Sequence, residues 1–167
     1  MDIEIRPEKA EDVEAIRQVT DAAFKLNPHS YGTEVAIIEA LREAEALAIS
    51  LVATMDGEVV GHVAFSPVTI EEQDLGWFGL GPVSTRPDLQ GRGIGSALIR
   101  EGLERLKRSE AAGCVLLGDP SFYQRFGFKN DAGLRYEGAP AEYFMSLNFR
   151  DAIPSGAVTF HQGFAAT

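Results

Sequence analysis

Val83-Ser84-Thr85-Arg86-Pro87-Asp88-Leu89-Gln90-Gly91-Arg92-Gly93-Ile94-Gly95-Ser96-Ala97-Leu98 reads as a strand end, a proline-marked exit, a glycine-rich turn and the start of a long helix. Gly91, Gly93 and Gly95 stand at alternate positions, so the backbone can turn tightly and approach a ligand with no Cβ in the way. The following helix aims unpaired N–H groups and the positive end of its dipole into the turn. Such an end receives anions, phosphate above all, and the first expectation is a phosphate-bearing ligand.

Two familiar phosphate motifs do not fit. A dinucleotide fingerprint, G-x-G-x-x-G, counted from Gly91 would need glycine where Ser96 stands. A P-loop needs lysine after its last glycine, and none follows Gly95. A ligand-free connector is the plain alternative.

Upstream, Ile3 and Ile5 before Pro7 predict a short first strand, and the spacing of Val13, Ile16, Val19 and Ala23 predicts a helix over 11–24. Asn27 to Gly32 is a loop, and Thr33 is the expected N-cap of a helix from Glu34 to about Ala46, with Val35, Ile38 and Leu41 inward. Strands are predicted over 49–54 and 58–68, joined by the hairpin signal Asp56-Gly57. An acidic loop holds Glu71, Glu72 and Asp74, and a strand over 77–85 follows. Within that strand Gly79, Gly81 and Pro82 mark a bulge or broken ladder, because proline cannot donate and glycine weakens pairing.

Downstream, the long helix runs over 94–108 with Ile94, Leu98, Ile99, Leu103 and Leu106 inward and Glu101/Arg105 and Glu104/Arg108 as ion pairs. Cys114 to Leu117 is a buried strand, Asp119-Pro120 opens a short helix ending at Gly127, and strands are expected over 142–149 and 157–164.

The chain has 167 residues, a length that predicts one domain, taken as 1–167. Its formal net charge of −10 argues against nucleic acid, which needs a basic footprint. No apolar run approaches membrane-spanning length, and the charged, alternating residues 1–6 are unlike a signal peptide, so the expectation is a cytoplasmic protein without a membrane partner. Cys114, the single cysteine, sits in an apolar run and reads as a buried, inert thiol.

Gln90-Gly91-Arg92-Gly93-Ile94-Gly95 follows the pattern Q/R-x-x-G-x-G/A, and about 30 residues after Gly93 comes Tyr123-Gln124-Arg125-Phe126-Gly127-Phe128. In this order and spacing, between the elements above, the two resemble the motifs of the GNAT superfamily of acyl-CoA-dependent N-acetyltransferases. Asp119-Pro120 and Phe126-Gly127-Phe128 look closest to a bacterial branch of predicted N-acetyltransferases. The resemblance implies an α/β (α+β) fold. A mixed, mostly antiparallel sheet of about seven strands, splayed between its fourth and fifth, would be flanked by about four helices.

By the same resemblance, the cofactor-binding residues are Leu80, Val83, Gln90, Gly91, Arg92, Gly93, Ile94, Gly95 and Ser96. The amides from Gly91 to Ser96 would hold the pyrophosphate of acetyl-CoA, with Gln90 shaping the turn and Arg92 an added charge. The pantetheine arm would lie along the splayed strand. There a free amide, of Val83 by preference or of Leu80, would polarise the thioester carbonyl. Tyr123 would be the catalytic acid, its phenol protonated at neutral pH and able to donate to the departing sulfur. No metal is implied. The acceptor would be an amine of a small molecule or peptide, attacking directly.

Its general base stays open among Glu34, His29, Tyr31, Glu71, Glu72, Asp74 and a water chain, while His62 and His161 read as structural. The family's Asn and longer helix before the tyrosine are missing, which leaves Asp119 or Ser121 to supply polar contacts near the thiol. An acyl-CoA-binding sensor without efficient catalysis is the alternative function, and a homodimer through the terminal strands is a possible assembly.

Overall fold

The computed structural model describes residues 2–28, 30–131 and 133–167. The chain runs β1 (Ile3–Pro7), α1 (Val13–Lys25), α2 (Glu34–Glu43), β2 (Ile49–Met55), β3 (Glu58–Pro67), β4 (Thr69–Ile70) and β5 (Trp77–Thr85). It continues through α3 (Ile94–Arg108), β6 (Gly113–Leu117), α4 (Pro120–Tyr123), β7 (Leu134–Arg135), β8 (Phe144–Asn148) and β9 (Gly156–Thr159). A six-stranded sheet has the order β1-β2-β3-β5-β6-β8, and a small sheet has the order β4-β9-β7. All neighbours in the large sheet are antiparallel except β5 and β6. The expected mixed, mostly antiparallel fold with four helices is therefore observed, with six strands in the main sheet and three outside it.

The Asp56-Gly57 turn has both residues at positive φ, +51° and +81°, as a tight two-residue hairpin between right-twisted strands requires. On β3 the side chains alternate between two cores. Gly61 and Phe65 face α3, and a Cβ added to Gly61 would meet Ile94 and Leu98 at 3.1 Å. On the other face Ile16 of α1, Ile38 of α2 and Val52 of β2 pack together. The five apolar residues expected inward on α3 are all buried.

The splay lies where the sequence places it. β5 pairs with β6 only from Trp77↔Gly113 to Gly79↔Val115, yet it continues to Thr85. Beyond the fork β5 keeps its other neighbour, β3, through a register shift in which Phe65↔Leu80 and Val63↔Val83 bracket Gly81 and Pro82. Gly81 has φ +131°, open to glycine but strained for any L side chain.

Several expectations are corrected. Thr33 precedes α2, but its backbone is helical (φ −101°, ψ −3°), so its hydroxyl is not aimed at the first-turn amides and caps nothing. α2 stops at Glu43, before the expected Ala46, and Val35 is only half-buried while Ile37 takes the inward place. Arg108 reaches Glu101 at 3.1 Å instead of Glu104, which pairs with Lys107 at 3.5 Å. Leu117, expected to be buried, is 42% exposed. Residues 141–143 form a single helical turn before β8, and the last strand stops at Thr159. His161 Nδ1 accepts from the Gly163 amide there, and Gly163 approaches Leu41 too closely for a side chain. β9 pairs with β4 through Val158 and Thr159 and with β7 through Gly156 and Ala157.

A partly buried polar cluster joins the end of β1, α2, β2 and β3. The Arg42 guanidinium donates to both Glu8 oxygens at 3.0 and 3.2 Å. Ser50 Oγ donates to Glu8 and lies 2.8 Å from His62 Nε2. His62 is fully buried, and burial lowers its pKa to about 4, with Arg42 opposing and Glu8 favouring its charge. It is thus neutral at pH 7, and its 4.0 Å approach to Glu8 is not an ion pair.

Two outcomes follow from this packing. A methyl group at position 102 would overlap the buried Phe65 ring. Gly102→Ala is therefore expected to destabilise by about 1–3 kcal/mol of overpacking, offset by no more than about 1 kcal/mol of helix propensity, read as a lower urea midpoint at unchanged m. The unfolded chain protonates His62 near pH 6.5 whereas the folded chain refuses the proton until about pH 4, so stability is lost as pH falls through that window. Its limiting slope is about 1.4 kcal/mol per pH unit. Stability curves of His62→Gln should be flatter between pH 6.5 and 5; an unchanged slope would assign the acid sensitivity to other groups.

Candidate active site

The turn after β5 is held by its flanks. Leu89 N–H donates to Arg86 O at 2.8 Å, buried Leu89 anchors the turn in the core, and Gln90 Nε2 donates to Thr85 O at 3.2 Å. Gly91 and Gly93 have φ of +81° and +85°, and a Cβ on either would point into open space. Gly95 sits in the first turn of α3, in ordinary contact distance of Val83 and Thr85. Among the described residues none from Gly91 to Ser96 donates to a backbone carbonyl, and no side chain caps α3. The first turn of α3 carries no acidic residue. Six consecutive N–H groups at the positive end of a 15-residue helix form a site for an anion.

A cleft of about 590 Å³ opens over these amides. Its floor is the end of β5, from Val83 to Thr85; its walls are the start of α3, the end of α1 with the loop to Pro28, and α4. Val83, Gln90, Gly91, Gly93, Ile94, Gly95, Ser96 and Tyr123 all line it. Leu80 and Arg92 do not. Leu80 is 7% exposed at the fork, in the core, while Arg92 is exposed and close enough to Asp88 to favour its charged form.

The direction of the Val83 amide follows from the ladder. Arg86 N–H donates to Val60 O at 2.8 Å, so Arg86 and Ser84 are the hydrogen-bonding positions toward β3. Alternation turns the N–H of Val83 the other way, into the gap that β6 has left. Pro82 has no N–H to offer.

Tyr123 stands across the cleft on α4. Asp119 caps this helix, its Oδ1 accepting from Ser121 N–H at 2.9 Å and from Ser121 Oγ at 2.8 Å, and Pro120 occupies the first position. The ring packs edge-on to Phe122 (4.9 Å) and Phe128 (6.2 Å). Gly118 lets it lie against the backbone, since a Cβ there would overlap the ring. Burial pushes the phenol up to about 12, with Cys114 and Asp119 adding to the rise, so the hydroxyl holds its proton throughout the neutral range. No hydrogen bond engages it among the described residues. Cys114 is fully buried, and burial pushes its thiol far above the thiolate range.

The candidate bases fall apart into groups. Glu34 accepts from Ser30 Oγ at 2.6 Å and borders, with Tyr31 and Asp21, a hollow of about 330 Å³ that shares Phe24 and Asn27 with the cleft. Glu71 Oε2 accepts from Ala157 N–H at 3.0 Å and Asp74 accepts from Gly76 N–H, binding them to the small sheet and its loop. Neither these nor Glu72 line the cleft. His29 lies outside the described residues. Sequence reasoning missed the contribution of α1, where Leu26 at the helix end is 79% exposed and lines the cleft, and it missed Phe122 and Arg125 as lining residues. No three His, Cys, Asp or Glu side chains among the described residues come together as a metal site, and no helix is long and apolar enough to cross a membrane.

Comparison with known proteins agrees with this geometry. The E. coli K12 "uncharacterized N-acetyltransferase YhbS" is 37% identical over 138 residues, spanning 78% of this chain and 83% of its own. The crystal structure of YhbS in complex with CoA superimposes with a TM-score of 0.87 at 34% identity, covering 98% of this chain and 92% of the other. A GNAT family acetyltransferase from Brucella melitensis, solved in complex with acetyl-CoA, has a TM-score of 0.88 at 50% identity over 98% of each chain. The model of the acetyltransferase (GNAT) domain matches residues 4–130, and the chain belongs to the GNAT family of acetyltransferases.

Proposed function

We propose that the protein transfers an acetyl group from acetyl-CoA to a primary amine of a small molecule or peptide, without a covalent enzyme intermediate. The observation that carries this reading is the row of six unclaimed amides at the foot of the β5–β6 gap. The residues present fit the cofactor. Glycines leave open space over the turn, and an uncovered strand edge leads from it toward Tyr123. The same cofactor in the Brucella relative supports the choice.

Acetyl-CoA, when bound, supplies the acetyl thioester. The amides from Gly91 to Ser96 hold its diphosphate, and the gap-facing edge of β5 receives its extended arm as an added strand. The Val83 N–H, turned into the gap, donates to the thioester oxygen where negative charge develops. The Tyr123 hydroxyl delivers a proton to the departing sulfur, and its high pKa keeps that proton in place at neutral pH. The acceptor enters from the hollow beside Glu34 and Tyr31, on the α1–α2 side.

Ligand present at 100 times its dissociation constant stabilises a native state by about 2.7 kcal/mol, so CoA should raise the melting temperature by several degrees. Absence of a shift at millimolar CoA would reject the cofactor. Free-thiol release from acetyl-CoA across a panel of amines should then exceed the hydrolysis background; if no amine accelerates it, the chain is a sensor, not an enzyme. Tyr123→Phe is expected to lower kcat by about 10²–10⁴-fold with CoA affinity nearly unchanged, and undiminished turnover would remove Tyr123 from the acid role.

A further inference from the structure

Arginines in this acidic chain are mostly held by carboxylates: Arg6, Arg42, Arg86 and Arg105 each close on one. Arg125 and Arg100 differ. The Arg125 guanidinium lies over the Phe122 ring at 4.5 Å and that of Arg100 over Phe126 at 4.8 Å, with the two rings 5.5 Å apart. No carboxylate pairs with either among the described residues. Arg125 lines the cleft opposite the glycine turn, and Arg100 sits one helical turn beyond Ser96 on α3.

A guanidinium whose face rests on an aromatic ring keeps its five N–H donors at the edge, in a rigid fork suited to a phosphate. No carboxylate among the described residues competes for that fork. The wall thus offers a second anion site, separate from the backbone amides.

Resting on the cofactor reading above, we infer that Arg125 binds the 3′-phosphomonoester of coenzyme A, with Arg100 adding positive charge from the next ring. The turn amides are occupied by the diphosphate, and the phosphomonoester is the remaining anionic group of the molecule. Arg125 is then the residue by which the cleft distinguishes coenzyme A from its 3′-dephospho form.

The test is calorimetric titration of the full chain with CoA and with 3′-dephospho-CoA, using Arg125→Gln and, as a charge-matched control, Arg135→Gln on β7. The native chain should prefer CoA by about tenfold or more, the scale of a charge-assisted contact. Arg125→Gln should lose that preference while binding dephospho-CoA as the native chain does, which also certifies its fold. Arg135→Gln should retain it. Equal affinities in the native chain, or a preference undiminished in Arg125→Gln, would overturn the inference and leave the cofactor site standing. Binding of neither compound by the native chain would reject the cofactor reading itself.

Discussion

The site depends on two neighbouring strands parting company. β5 and β6 share a ladder for three residue pairs, after which β5 continues alone along β3 to Thr85. An unpaired backbone edge in a protein interior is costly unless water or a ligand satisfies it, so the parting must open onto a cleft. The bulge at Gly81 and Pro82 shapes that edge. Because β5 carries one extra residue there, Gly81 and Pro82 standing opposite Ala64 alone, Val83 resumes the ladder with its N–H directed into the gap. The same strand then delivers the chain to the glycine turn, which places a strand edge and a helix N-terminus end to end.

Close approaches permitted by glycine support this arrangement from behind. Gly102 admits the Phe65 ring against α3, Gly113 admits Trp77 against β6, and Gly118 admits Tyr123 against the strand end. Each lets a large ring fill a place that a methyl group would contest. The first two hold α3 and β6 to the sheet, and the third sets the ring that faces the cleft. Interiors packed at such density transmit a change of one methylene, so the site inherits its precision from the core.

Much of this was legible in the sequence because it was written in strong local chemistry. Asp56-Gly57 announces a hairpin, the apolar spacing from Ile94 to Leu106 announces a helix, and Gly79, Gly81 and Pro82 announce the interruption of β5. What escaped was tertiary. β4 and β7 are two residues long and exist only because β9 lies between them. Residues 160–164 were expected to continue the last strand, yet the chain turns at Gly163 to pack beneath α2. The site was legible at its turn and at Tyr123, where motif and geometry coincide. Its α1 wall and the stacked Arg125 were not, since a contact between distant segments leaves no spacing to read.

The charge of the chain gives the glycine turn a further meaning. A molecule of net charge −10 repels anions at a distance, while the helix end, Arg100 of α3 and Arg125 in the turn after α4 carry positive charge locally. At physiological ionic strength the two fields are each screened over about 8 Å. Salt therefore weakens the barrier to approach and the grip on arrival by different amounts, because the grip acts in a partly dehydrated cleft. Against the net negative charge of the chain, the positive face at the turn is built first from backbone N–H groups, with the two ring-stacked arginines beside it.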